Sequence, residues 1–343
     1  MNNKEIKDIK KLLSSSKKIA IVSHRNPDGD AYGSSLALYH YLQKLQHDVS
    51  VVSPNDCPDF LKWLPSQEKI VIFEEELSKG TELLNEAEII FTLDFNALHR
   101  VGKVMEDTLL NASATYVMID HHKEPDNYAD IMYSDSSISS TCQMLYHFFE
   151  KIGPLDSIDQ TIATCLYTGI VTDTGSFKYS STTSVTHRII ADLIDTGIDH
   201  TKIHINLYDT NSFSRLQLLG KALGNLKVMS EYRTAYISLS QVEMNSFNFK
   251  KGDTEGFVNY GLSLKGVVFA VIFIEDQKQG IIKMSLRSKG DFSVNEFARN
   301  HFNGGGHINA AGGRSEDSLN KTIANFLKII PTFKNELQNS YEE

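Results

Sequence analysis

Ser23-His24-Arg25-Asn26-Pro27-Asp28-Gly29-Asp30-Ala31-Tyr32-Gly33-Ser34 places one histidine and two aspartates in a tight loop. Before it, Ile19-Ala20-Ile21-Val22 is a short apolar run suited to a buried strand. After it, Ser34 to Leu42 has helical character. In an open α/β sheet, such strand-to-helix loops line the edge where ligands bind. Asn26-Pro27 and Asp28-Gly29 are turn dipeptides that let His24, Asp28 and Asp30 converge. Three such donors aimed at one point suit a divalent cation. A second reading of the loop stays open: a polar turn whose acids only cap the next helix, with Asp30 and Ser34 as the caps.

Outward from this loop, strand and helix signals alternate. Strands are expected at 17–22, 48–52, 70–73, 89–93 and 115–119, with helices at 34–45 and 77–86. The alternation implies an α/β domain with a mostly parallel five-stranded sheet flanked by helices. Helices are then expected at 140–151, 159–172, 184–196 and 212–225. The second half changes texture: strands at 235–239, 267–274 and 281–286, and helices at 294–302 and 319–333, suggest a smaller α/β domain with a mixed sheet. The boundary falls near 197–215, giving a domain over 1–196, a linker over 197–215 and a second domain over 216–343. The tail, Ser340 to Glu343, is expected to fray.

The 343 residues carry a net charge of −9, which argues against an extended grip on duplex DNA but leaves room for a short nucleotide held by a few cations. Cys57, Cys142 and Cys165 are scattered and show no zinc spacing, so a reducing, cytoplasmic setting is expected. The N-terminus has no signal-peptide core, and the longest strongly apolar run, 267–274, falls far short of the ~20 residues that cross a bilayer.

Acids and imidazoles recur at element ends: His24/Asp28/Asp30, Asp94, Asp120-His121-His122 and Asp173. Each alone reads as a turn or cap. Together they would crowd one sheet edge, and packed anions repel unless cations neutralise them. Asp28, Asp30, Asp94 and Asp173 supply four negative charges, which two divalent ions would balance. A carboxylate can bridge two ions, and water between ions roughly 3.5–4 Å apart is acidified enough to act as hydroxide near neutral pH. Oxygen-rich ligands with some imidazole favour two Mn²⁺, with Mg²⁺ also compatible, over zinc. In the second half, Gly304-Gly305-Gly306-His307 precedes Asn309-Ala310-Ala311-Gly312-Gly313. Three glycines expose backbone N–H groups to a ligand, and Arg287, beside Ser288, offers a guanidinium suited to phosphate. A flexible loop is the plainer alternative for the glycines.

His-x-x-Pro-Asp-Gly-Asp-Ala-x-Gly-Ser, then Leu-Asp, then Asp-His-His, then Asp-Thr-Gly-x-Phe, in this order, resemble the DHH-type phosphoesterases, and the likeness runs through nearly the whole chain. The resemblance implies one ion held by His24, Asp28 and Asp94, and another by Asp30, Asp94, His121 and Asp173, with Asp94 as the bridge. It implies that His122 donates to the substrate phosphate and that Asp120 orients the histidine pair. Arg100 matches a family arginine that points into the cleft, with a surface helix charge as the alternative. Arg287, Ser288, Gly304, Gly305, Gly306 and His307 resemble the DHH-associated C-terminal domain, which binds the substrate's distal nucleotide. No ligand position is replaced.

The subgroup most similar is that of the bacterial nano-RNases and pAp phosphatases. The implied activity is two-metal hydrolysis, by a metal-bridging hydroxide in the cleft between domains, of short oligoribonucleotides, linear dinucleotides such as pApA, or 3′-phosphoadenosine 5′-phosphate. A cyclic di-AMP phosphodiesterase is the alternative, and a nucleotide sensor without turnover is the alternative of another class. The expected partner is a short RNA or dinucleotide, not duplex DNA or a membrane; a homodimer is left open.

Overall fold

The computed structural model describes residues 1–341. It divides into two compact units, Met1–Thr210 and the chain from Asn211 onward. In the first unit the strands are β1 (Lys18–Ser23), β2 (Asp48–Ser53), β3 (Val71–Ile72), β4 (Ile89–Leu93), β5 (Thr115–Asp120) and β6 (Ile131–Ser134). They run in the order β3-β2-β1-β4-β5-β6, and every pairing is parallel. The sheet therefore has six strands, one more than expected. The extra one, β6, is a four-residue edge strand whose pattern is too short to read locally.

Alternate residues of β1 feed two different cores. Ile19 and Ile21 pack on one face, Ala20 and Val22 on the other. That is the pattern of a parallel sheet covered by helices on both sides. Strand order reverses beside β1, with β2 on one flank and β4 on the other. The crevice at the carboxyl ends of β1 and β4 is therefore the ligand-binding position of such a sheet.

The helix after β1 spans Gly29–Lys44, starting five residues earlier than expected. It packs against the helix Gln160–Asp173 through bare glycines. A Cβ on Gly29 would run into Thr172, and one on Gly33 would lie 2.6 Å from the Cys165 carbonyl oxygen. The expected linker is largely structured. Residues 200–208 form the helix His200–Tyr208, and its Ile203 and Leu207 are buried in the first unit's core.

In the second unit the strands are β7 (Lys227–Met229), β8 (Thr234–Leu239), β9 (Phe269–Asp276), β10 (Ile281–Ser288), β11 (Gly305–Gly306) and β12 (Ala310–Ser315). The order is β11-β12-β10-β9-β8-β7, parallel only between β8 and β9. Phe269, Phe273, Phe292, Phe297 and Phe326 fill its core, with Phe269 and Phe297 ring centres 5.1 Å apart. Strand β12 reads Ala-Ala-Gly-Gly-Arg-Ser and lacks any β-branched residue. It is a strand because β10 pairs with it over six residues, so tertiary pairing overrides local preference.

The tail does not fray at Ser340 and Tyr341. Asp291 N donates to the Ser340 carbonyl (3.0 Å), and Arg233 Nη1 donates to that of Tyr341 (2.7 Å). Glu342 and Glu343, the remainder of that expectation, lie outside the described residues. Among the described residues no helix is long and apolar enough to cross a membrane, and the three cysteines are buried and free.

Candidate metal centre

The cap of the first loop is neither of the two residues expected. Asp28 caps the helix Gly29–Lys44: its Oδ1 accepts from Asp30 N (3.0 Å) and Ala31 N (3.1 Å). Asp30 and Ser34, expected as caps, instead sit inside the helix. Asp28 still offers a donor atom within 4.8 Å of donor atoms on His24 and Asp94. His24 Nδ1 donates to the Arg25 carbonyl (2.9 Å), which fixes the ring and turns Nε2 toward Asp94 Oδ2, 3.4 Å away.

Asp94 follows β4 in a left-handed conformation, φ 66°, which costs a non-glycine residue roughly 1–2 kcal/mol and which aspartate tolerates better than most. The turn aims its two oxygens at different histidines. Oδ2 faces His24, while Oδ1 lies 3.4 Å from His121 Nε2 and accepts from Thr141 Oγ1 (3.0 Å). His121 Nδ1 donates to the Ile138 carbonyl (3.3 Å), so this imidazole too is pinned from behind. Its Nε2 is also 3.5 Å from Asp173 Oδ2. Among the described residues Asp94 belongs to three donor groups, His24/Asp28/Asp94, Asp30/Asp94/His121 and Asp94/Asp120/His122, and the first two share no other residue.

Asp30 is held by residues that the sequence pattern does not single out. Thr141 N (2.6 Å) and Cys142 N (2.9 Å), at the start of the helix Thr141–Ile152, donate to its two oxygens. On the other side lies Gly169: a Cβ there would collide with Cys142 Sγ and sit 2.7 Å from Asp30 Oδ1. The only local signal was the small polar run Ser139-Ser140-Thr141, whose Ser140 caps that helix through Gln143 N.

Without cations the acids and imidazoles titrate against one another. Burial would lower His24, but the Asp94 hydrogen bond and the charge of Asp28 outweigh it and raise the ring to about 9. His121 rises for the same reason, with Asp94 and Asp173 as its anions. Asp30 is raised by burial and by the charges of Asp94 and Asp173. Asp173 rises to about 7, through burial and the anions Asp28 and Asp94, against the pull of His121. Only Asp94 is lowered, because bonds from His121 and His24 overcome its burial. Protons thus stand where cations would. The donor set fits divalent ions: mostly oxygen, some imidazole, no thiolate, and rings already oriented.

His122 lies beside the pair. Its Nδ1 donates to Asp120 Oδ1 (2.7 Å) and its N–H to Oδ2 (3.1 Å), so the fully buried Asp120 orients His122, while the Ile138 carbonyl orients His121. Arg100 is half-buried in the short turn Leu98–Val101, where its carbonyl accepts from Arg25 N (2.9 Å).

In the second unit the glycine segment departs from expectation. The amides of Gly304, Gly306 and His307 donate to the Ala298 carbonyl, Asn295 Oδ1 and the Ala310 carbonyl, so they form no open cradle. A side chain on Gly304 would collide with the Gly312 carbonyl, and one on Gly306 would lie 2.5 Å from that of Ala310. These glycines let β11 close on β12. Ser288 is likewise structural: its buried hydroxyl donates to the Phe292 carbonyl (2.6 Å) and accepts from Asn309 Nδ2 (2.9 Å). His307 is exposed at the hairpin tip, and Arg287 is half-buried on β10, with Nη1 bonded to the Leu286 carbonyl (2.9 Å).

Residues 18–170 match the DHH family, N-terminal domain, and residues 233–336 match the DHHA1 domain. The chain is 31% identical over 295 residues to the bifunctional oligoribonuclease and PAP phosphatase NrnA of Thermus thermophilus, covering 86% of this chain and 83% of that one. It is 25% identical to the cyclic-di-AMP phosphodiesterase GdpP of Geobacillus thermodenitrificans, over 93% of this chain and 49% of that longer protein. An exopolyphosphatase-related protein from Bacteroides fragilis, a crystal structure, superposes with a TM-score of 0.95 at 40% identity, covering 98% of both chains.

Proposed function

The chain belongs to the DHH family and is a hydrolase of phosphoester bonds, and from that premise we propose that it cleaves short oligoribonucleotides and linear dinucleotides such as pApA, and removes phosphate from 3′-phosphoadenosine 5′-phosphate. The observation that carries this is Asp94, whose two oxygens face two separate donor groups. His24, Asp28 and Asp94 would hold one divalent ion, and Asp30, Asp94, His121 and Asp173 the other, with Mn²⁺ preferred and Mg²⁺ tolerated. Such a pair supplies an acidified water and positive charge against a phosphoryl group.

The chain's own residues do the rest. The helix amides of Thr141 and Cys142 keep Asp30 in place, and the Arg25 and Ile138 carbonyls keep both imidazoles facing inward. His122, oriented by Asp120, donates a hydrogen bond to a phosphate oxygen. Arg287 and His307 of the second unit take the phosphate at the substrate's other end through their side chains. Arg100 is assigned to the same substrate.

The likeness to NrnA supports the substrate class, and the presence in the sequence of every residue of the implied ligand set, His24, Asp28, Asp30, Asp94, His121 and Asp173, speaks against a sensor that binds without turnover. The test is a side-by-side turnover assay with Mn²⁺ on pApA, 3′-phosphoadenosine 5′-phosphate, tri- to pentaribonucleotides, cyclic di-AMP and polyphosphate. Metal-dependent release of mononucleotide from pApA is expected. Turnover of cyclic di-AMP or polyphosphate alone would replace the assignment, and nucleotide binding with no turnover would make the protein a sensor.

A further inference from the structure

The loop that leaves Asp173 carries aromatic surface for which phosphoester chemistry alone has no use. Ser176 and Phe177 are consecutive non-glycine residues in the left-handed region, φ 57° and 66°. Such strain persists only where surrounding bonds enforce it, and it gathers at ligand clamps. Here the enforcement is visible. Ser176 N donates to the Val171 carbonyl (2.8 Å) and Phe177 N to Thr174 Oγ1 (3.1 Å), while Lys178 N and Tyr179 N share the Thr174 carbonyl (3.0 and 3.1 Å).

The twist sends two rings in opposite directions. Phe177 packs against the first unit's main core, 5.2 Å from the His187 ring. Tyr179 stays 45% exposed and lies across the bare backbone of Gly175, where a Cβ would be 2.7 Å from its Cζ. Tyr208, 42% exposed, joins from the helix His200–Tyr208: its hydroxyl is 3.1 Å from Ser176 Oγ and its ring 5.8 Å from that of His204. His204 is in turn tied to Tyr167, with Nε2 3.2 Å from the phenol oxygen. Two fixed, exposed phenol rings thus flank a loop that begins at a candidate ion ligand. Gly175, which the Tyr179 ring covers, is two residues past Asp173, so their Cα atoms lie within roughly 7 Å.

We propose that Tyr179 and Tyr208 form a platform on which a nucleobase of the substrate stacks while its phosphate is held beside Asp173. This rests on the nucleotide phosphoesterase reading above. Aromatic faces accept any base, so the platform would select nucleotides over base-free phosphoesters without choosing among bases. It would also separate nucleotides from polyphosphate.

The test compares kcat/KM for pApA with that for its abasic analogue, in the wild type, Tyr179→Ala, Tyr179→Leu, Tyr179→Phe and Tyr208→Ala. The alanine and leucine variants should reduce the preference for pApA by about tenfold, the scale of one lost base–aromatic contact, mainly through KM. Tyr179→Phe should keep it. Equal losses on both substrates would mean a packing role and overturn the platform, as would an unchanged preference accompanied only by a shift in oligomeric state. A wild type that hydrolyses neither pApA nor 3′-phosphoadenosine 5′-phosphate would instead remove the activity itself, and the platform with it.

Discussion

In the first unit His24, Asp30, Asp94 and His121 are each less than a tenth exposed, and each is held by a backbone or side-chain partner behind it. In the second unit His307 stands on an exposed hairpin tip and Arg287 is half-buried, while the intervening glycines serve strand pairing. On the proposed assignment, the contrast matches what each region would handle. Crowded like charges must be fixed in advance and shielded from water before they can grip a cation tightly. A phosphate at the far end of a substrate needs only a reachable positive partner, and a partly solvated one suffices.

The largest break in this contrast is expected at Asp94. Asp94→Asn should lower turnover more than loss of any other single ligand, and by more than the ~10–100-fold typical of a residue that only orients a ligand. Asp120→Asn should fall inside that lower range. Similar losses for the two would remove the bridging role of Asp94.

Next come Arg287→Ala and His307→Ala. Each should cost pApA hydrolysis about tenfold, on the scale of a lost charge-assisted bond, with a far smaller effect on bis-p-nitrophenyl phosphate. Equal damage to both esters would show that the second unit does more than hold the distant phosphate.

Gly169→Ala sharpens the same comparison from inside the first unit. The new methyl would press on Cys142 Sγ and Asp30 Oδ1. Calorimetric titration with Mn²⁺ should then show one of two binding steps weakened about tenfold, as for a disturbed supporting residue. Adding Cys142→Ala relieves the sulfur contact alone. If the double variant recovers both steps, the contact with Asp30 is not the cause.

The smallest effect concerns protons. His24 rises to about 9 and Asp173 to about 7, so near neutral pH cations must displace protons. Apparent Mn²⁺ affinity should decline as pH falls through 9 and again through 7. Calorimetry in buffers of different ionisation enthalpy should register proton release on binding at pH 7. No release would contradict the buried, charge-coupled picture of this site.

Much of the first unit is legible because strand ends in a parallel sheet share an edge: His24, Asp94 and His121 could be assigned to that edge from β1, β4 and β5 alone. The helix amides at Thr141 and Cys142 were not legible, because an N–H has no side-chain signature and its target lies 111 residues away in sequence. Gly169 read as a helix interior residue, since its use depends on what packs against it. Strand β12 was missed because its residues favour no strand; β10 imposes the conformation. The glycines at 304–306 have the composition of an anion loop, and only pairing with β12 reveals their other duty. Phe177 and Tyr179 are aromatics two positions apart, and nothing local tells that the left-handed pair Ser176 and Phe177 packs the first against the core and leaves the second exposed.

Where the helices Gly29–Lys44 and Gln160–Asp173 meet, Gly29 makes room for the Thr172 side chain and Gly33 lies against the Cys165 carbonyl, so the helices that carry Asp30 and Asp173 approach closely. Calcium demands 6–8 oxygens at about 2.3–2.6 Å, whereas magnesium accepts six at about 2.0–2.1 Å. If these helices carry ligands to the proposed ions, so close a contact would favour the smaller cation, and Ca²⁺ should support turnover less well than Mn²⁺ or Mg²⁺.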